Sequence, residues 1–210
     1  MNAYLVREDD GFTLVDTHLP KSGEGILDAA RGRGGEIKRI AITHAHGDHV
    51  GSLDELKAAL PDVEVLISTR DARFIRGDNS LDPSEQMGKA RGNFRKLKTE
   101  PTRTFEPGER IGSLEVIAAP GHTPGHVAFL DTRDKSLIAG DAFTTIGQVA
   151  TTAKAPWQFP LAVMGTWHKP TELQTAKELR GLDPSRLAVG HGKVVESPAR
   201  AMDEAILKAS

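Results

Sequence analysis

Between Thr43 and Gly51 the chain reads Thr-His-Ala-His-Gly-Asp-His-Val-Gly, so His44, His46, Asp48 and His49 fall within six positions. Imidazole and carboxylate are donors that suit Zn(II), Mn(II) or Fe(II). The run follows the apolar stretch Ile40, Ala41, Ile42 and therefore begins where a strand ends. Alternate residues of an extended segment share a face. His44 and His46 can thus point the same way, while Asp48 and His49, where the chain turns, can face a second point a few ångströms away. The spacing predicts one short loop able to start two metal positions. Three further residues repeat the placement of a polar side chain just past an apolar strand and a glycine: His122 after Pro120 and Gly121, Asp141 after Ala139 and Gly140, and His191 after Val189 and Gly190. A rigid scaffold that brings such strand ends together can preorganise a metal site.

The composition narrows what else the chain can do. It has 210 residues, 27 Lys plus Arg against 29 Asp plus Glu, and a formal charge of -2, so no global positive field attracts nucleic acid or an anionic membrane. Aromatic residues make up 5%, too few for a surface that stacks single-stranded bases. With no cysteine, thiolate ligands, disulfides and thiol nucleophiles are excluded, and any metal must sit on His and carboxylate. The N-terminus lacks the pattern of a secretory leader and no stretch reaches the length of a membrane span, so a soluble, cytoplasmic protein is expected. The length suits a single domain over residues 1–210.

The elements that must position the ligands can be read from periodicity and turn residues. Residues 3–7 and 12–16 predict a hairpin turning at Asp9, Asp10 and Gly11. Ser22 stands where it could cap a helix bearing Ile26, Leu27 and Ala30, ending in the glycines of 32–35. Strand 37–43, helix 52–60 stopped by Pro61, and strand 63–67 continue a β-α-β rhythm. The polar stretch 68–101, with a helix expected over 83–98, is assigned no chemistry. Strands at 114–118, 127–131 and 137–139 form a second group, a long loop covers 144–160, and helices at 171–182 and 198–208 flank a strand at 187–189. The two halves resemble each other.

Taken in order, Asn2 to Leu5, Leu14 to Thr17, His-x-His-x-Asp-His, the segment from Pro120 to His126, Gly140 with Asp141, and Gly190 to Gly192 resemble the metallo-β-lactamase-fold hydrolase superfamily over nearly the whole chain. The resemblance implies an α/β fold, a four-layer αββα sandwich with the metal site at one edge. It implies that His44, His46 and His122 bind one metal, Asp48, His49 and His191 a second, and that Asp141 bridges them. It also implies that Asp16 supports a ligand histidine from behind and that His126 is structural. Having His49 and Asp141 with no Cys, the chain looks like the dinuclear hydrolase branches rather than the β-lactamases themselves. A Gly at position 47 separates it from the flavodiiron branch.

Two metal ions about 3.5–4 Å apart lower the pKa of a shared water and supply hydroxide. Asp48 is the expected catalytic residue, orienting that hydroxide or taking its proton. Attack on an ester, lactone or thioester carbonyl of a small molecule follows, with the growing oxyanion stabilised by metal. Two Zn(II) per chain are expected, with Mn or Fe as substitutes. Trp157, Phe159, Leu161, Met164 and Trp167 gather beyond Asp141, and Trp157, Trp167 and His168 are the expected substrate pocket. The C-terminal helical domain by which glyoxalase II binds glutathione has no counterpart after His191, and the lactonase Tyr and the RNA-docking arm of the tRNA-processing branch are not found. A small stand-alone hydrolase is the reading that remains. The alternative on the same fold is a mononuclear iron persulfide dioxygenase, using His44 or its neighbours, His122 and Asp141.

Overall fold

The computed structural model describes residues 1–85 and 88–210. In chain order its elements begin with β1 (Tyr4–Glu8), β2 (Gly11–Val15), α1 (Gly23–Gly32), β3 (Ile37–Ala41), α2 (Leu53–Ala59), β4 (Glu64–Ser68), α3 (Ala72–Ile75) and β5 (Arg103–Phe105). There follow β6 (Arg110–Ile111), β7 (Leu114–Ala118), β8 (Val127–Asp131), β9 (Ser136–Ile138), β10 (Phe143–Thr144), β11 (Ala150–Thr151), α4 (Pro160–Gly165), α5 (Lys169–Gly181), β12 (Arg186–Ala188), β13 (Val195–Glu196) and α6 (Ala199–Ala209). One sheet has the order β1-β2-β3-β4-β5 and a second the order β13-β12-β9-β8-β7-β6, with β10 and β11 forming a small ribbon.

The layers follow from period-2 alternation along strands that are apolar on both faces. Phe12, Leu14, Ile40, Ile42, Val65 and Ile67 turn to one side of the first sheet and pack with Leu53, Leu56 and Phe74. Their neighbours Val15, Ala41 and Leu66 turn the other way and meet Val116, Val127, Phe129 and Ile138 of the second sheet. On the far side of that sheet Ala128, Leu137 and Leu187 lie against Ala176 and Leu179 of α5 and Met202 and Ala205 of α6. The order is helix, sheet, sheet, helix, as expected. No helix among the described residues is long and apolar enough to cross a membrane.

Several local expectations are corrected. The hydroxyl of Ser22 does not cap α1 but lies 2.9 Å from Nδ1 of His18, because the cap residue has an α-region backbone rather than an extended one. The helix expected over 83–98 falls partly outside the described residues, and 88–98 is irregular apart from a bridge between Phe94 and His46. Its backbone is drawn onto the ligand loop, a long-range pairing that sequence periodicity does not encode. The loop at 144–160 contains β11, and α4 begins at its end.

Candidate metal centre

Strand ends bring the candidate ligand residues to one edge of the sandwich. The segment 43–49 leaves β3, His122 lies in the turn between β7 and β8, Asp141 follows β9, and His191 follows β12. Parallel pairing of β9 with β12 sets Ile138 beside Ala188, so the chain leaves both strands at the same end and carries Asp141 and His191 together. Gly190 permits this approach: a Cβ there would lie 2.1 Å from Oδ1 of Asp141.

The seven side chains converge. Nδ1 of His46 is 3.1 Å from Nε2 of His44 and 3.0 Å from Nε2 of His122. On the other side, Nε2 of His191 is 3.1 Å from Oδ2 of Asp48. Asp141 stands between the two groups: its Oδ2 is 3.5 Å from His122 and 3.3 Å from His191, and its Oδ1 is 3.3 Å from Nε2 of His49. The triads His44, His46, His122 and Asp48, His49, His191, and also His44, His49, Asp141, each have donor atoms within 4.8 Å of one another.

Outer hydrogen bonds decide which ring nitrogen faces inward. Nε2–H of His46 donates to the Arg91 carbonyl at 2.8 Å, leaving the Nδ1 lone pair for the site. The Thr43 hydroxyl donates its single hydrogen to the Asp16 carboxylate and therefore accepts from Nδ1 of His44. Thr166, whose hydroxyl donates to a carbonyl of Ala162 or Thr152, likewise accepts from Nδ1 of His122. Nδ1–H of His49 donates to Oδ2 of Asp16 at 2.8 Å. His44, His46 and His122 therefore aim bare nitrogens at a common point, an arrangement that favours a cation. Nε2 of His49 and Oδ1 of Asp141 are buried with no hydrogen-bond partner among the described residues, which a bound cation would supply.

The electrostatics divide along the same line. Burial holds His44 and His122 well below the ordinary histidine range and lowers His46, which favours the neutral form of these rings. Burial also opposes charge on His49, but Asp141 and Asp16 raise it well above that range. Against the cost of burial, Asp141 and Asp48 raise His191 to about 9. Despite its own burial, the hydrogen bond from His191 and the charge of His49 bring Asp48 to about 2.

Other expected residues fall as follows. Asp16, with φ of 60°, sits behind the centre and grips His49 and Thr43. His126 donates from Nδ1 to the Ala119 carbonyl and accepts the Asp141 N–H at Nε2, tying the turn to the strand end that carries Asp141. Above the centre is a cavity of about 510 Å³, walled partly by Phe159, Leu161 and Met164. The three residues expected as its wall do not line it. Trp157 is 85% exposed, Trp167 packs near His168, and His168 caps α5 by accepting the Thr171 N–H, since an N-terminal histidine at a helix start is held by the helix itself.

Two contributors were not found from the sequence. Asp71, fully buried after β4, accepts hydrogen bonds from the Ala45 N–H, the Thr123 hydroxyl and the Gly125 N–H, so one carboxyl joins the loop holding His44 and His46 to the turn holding His122. Asp71 follows an apolar strand as Asp141 does, but without the glycine that marked Asp141. The segment 91–95 was given no chemistry, yet it supplies the Arg91 carbonyl and part of the cavity. Gly92, with φ of 102°, is needed for this: a Cβ would lie 2.0 Å from Nε2 of His46.

A family model described as the metallo-beta-lactamase superfamily matches residues 2–191. The chain is 45% identical over 210 residues to the uncharacterized protein YobT of Bacillus subtilis, covering all of this chain and 90% of that one. It is 29% identical to the probable metallo-hydrolase YflN of the same organism, over 91% of this chain and 80% of the relative. Among solved structures, TTHA1623 in a di-iron-bound form aligns with a TM-score of 0.70 and 29% identity, over 95% of this chain and 91% of that one.

Proposed function

The chain belongs to the metallo-beta-lactamase superfamily, and from that premise we propose that residues 1–210 act as one metal-dependent hydrolase domain that cleaves an ester, lactone or thioester of a small molecule. The observation that carries this reading is Asp141, whose two carboxylate oxygens face His49 on one side and His122 and His191 on the other. His44, His46 and His122 would hold one metal ion and Asp48, His49 and His191 a second, with Asp141 the residue shared between the two sets. A metal pair bound there would lower the pKa of water toward neutrality and stabilise negative charge on a carbonyl oxygen. Zn(II) suits the donors, and the di-iron form of TTHA1623 keeps iron as the substitute.

The protein's own groups then divide the remaining work. Asp48 is partly open to the cavity, and its carboxylate stays ionised through the neutral range, so it accepts a hydrogen bond from the attacking water and fixes its orientation. Asp16, Thr43, Thr166 and the Arg91 carbonyl lock the imidazoles in the tautomers the site requires. Water oxygen bonds to the carbonyl carbon, the bond to the alcohol oxygen or thiol sulfur breaks, and one water proton leaves with that group. The products are a carboxylic acid and an alcohol or thiol.

Elemental analysis after metal-replete expression should give close to two equivalents per chain, and chelator should abolish hydrolysis across a panel of esters, lactones and thioesters. One iron per chain with oxygen consumed on a persulfide would overturn the proposal in favour of the dioxygenase.

A further inference from the structure

Besides the candidate metal ligands, the apolar residues of 159–164 and the pair Leu19 and Pro20, the cavity has a side formed by Gly92, Asn93 and Arg95. The Asn93 carbonyl accepts the Gly47 N–H at 2.7 Å, so this segment is fastened to the ligand loop between His46 and Asp48. The Arg95 stem lies directly over Gly47: a Cβ there would meet its Cδ at 3.1 Å and its Cγ at 3.3 Å. Phe94 between them faces inward, its ring 4.9 Å from that of His46 and 4.1 Å from that of Phe74. With Phe94 anchored, the alternation of an extended segment turns Asn93 and Arg95 to the opposite side, and both line the cavity.

Arg95 is the lysine or arginine of that lining. It has no ion-pair partner among the described residues, although most arginines of the surface are paired with carboxylates. The acids that line the same cavity, Asp48 and Asp141, are engaged with His191 and His49. A guanidinium held by its stem, unpaired, beside a cluster of histidines and opposite an apolar wall is placed to receive a carboxylate, which it matches bidentately.

We propose that Arg95 and Asn93 form an anion subsite, and that the substrate is an ester or thioester carrying a carboxylate, which lies at Arg95 while its apolar part lies against Phe159, Leu161 and Met164. This rests on the hydrolase reading above. The carbonyl to be cleaved sits between the two ends, over the ligand cluster. Because the subsite is on the exposed rim, its contribution is screened by salt and acts through binding more than through the chemical step.

The test compares 4-nitrophenyl hydrogen glutarate with the neutral 4-nitrophenyl pentanoate. The metal-loaded wild type should favour the glutarate ester at low salt and lose that preference as salt rises. Arg95→Met keeps the apolar stem over Gly47 and should lower the ratio of kcat/KM, anionic to neutral, about tenfold, mainly through KM; Arg95→Lys should restore part of it. Calorimetry with glutarate on the same metal-loaded proteins should show a similar weakening in Arg95→Met without any turnover. If both esters are cleaved and the ratio and glutarate affinity are unchanged in Arg95→Met, the subsite is refuted and the hydrolase stands. If neither ester is cleaved while glutarate binding still depends on Arg95, the subsite stands and the hydrolase reading falls.

Discussion

Oδ2 of Asp16 lies 2.8 Å from Nδ1 of His49, and Oδ1 of the same carboxylate accepts the Thr43 backbone N–H at 2.8 Å. One buried acid thus orients a histidine directly and fixes the start of the loop that carries two more. Its left-handed backbone, with φ of 60°, turns the side chain back under the loop.

Asp16→Ala should therefore weaken metal binding at the position held by Asp48, His49 and His191 by about 10–100-fold, the range expected when a histidine loses its orienting partner. Competition titration with a chelator measures it. Unchanged affinity for both equivalents would show that His49 needs no such support.

Asp71 links stability to pH. Burial pushes its carboxyl up to about 6, against the three donors that pull it down. Because the folded value exceeds the ordinary aspartate value of 3.8, its contribution is full below pH 3.8 and fades as pH rises through about 6. In metal-free protein, Asp71→Ala should cost about 2–4 kcal/mol at pH 4.5, from the buried donors it strands, and less at pH 7.5. Urea denaturation of both proteins at the two pH values gives the comparison; a larger loss at pH 7.5 contradicts the sign.

Metal uptake should release a proton from His191 at pH 7.5. In the metal-free protein Asp141 and Asp48 raise this ring to about 9, so it carries a proton there that a metal must displace. Titration calorimetry in buffers of different ionisation enthalpy counts the protons, and a release below half a proton would mean the ring is already neutral. By the same linkage, the stability His191 gives the metal-free protein is full below 6.5 and lost through about 9.

Specificity for the apolar part of the substrate should follow Leu161 and Met164, each 65% exposed and facing the cavity, and not Trp157. Met164→Ala should change relative kcat/KM along a series of acyl chain lengths by up to about tenfold, the scale of altered apolar contacts in a pocket. Trp157→Ala should leave that series unaltered. An equal shift in both variants would return Trp157 to the pocket.

Much of this protein was legible before any tertiary contact was known. The donors were, because metal-ligating chemistry belongs to residue types and a six-residue spacing is local. The layers followed from the family resemblance, and the structure gives their physical reason: Leu14 beside Val15 and Ile40 beside Ala41 make each strand apolar on both faces, which a sheet covered on both sides satisfies. Tertiary structure alone decided which nitrogen of each histidine faces the centre, since His46 depends on Arg91, 45 positions away, and His122 on Thr166, 44 positions away. It also placed Asp71 and Arg95 at the site and turned Trp157 to solvent. Hydrogen bonds and close approaches across such separations are set by how the two sheets and their connections pack, and no local period or motif carries that information.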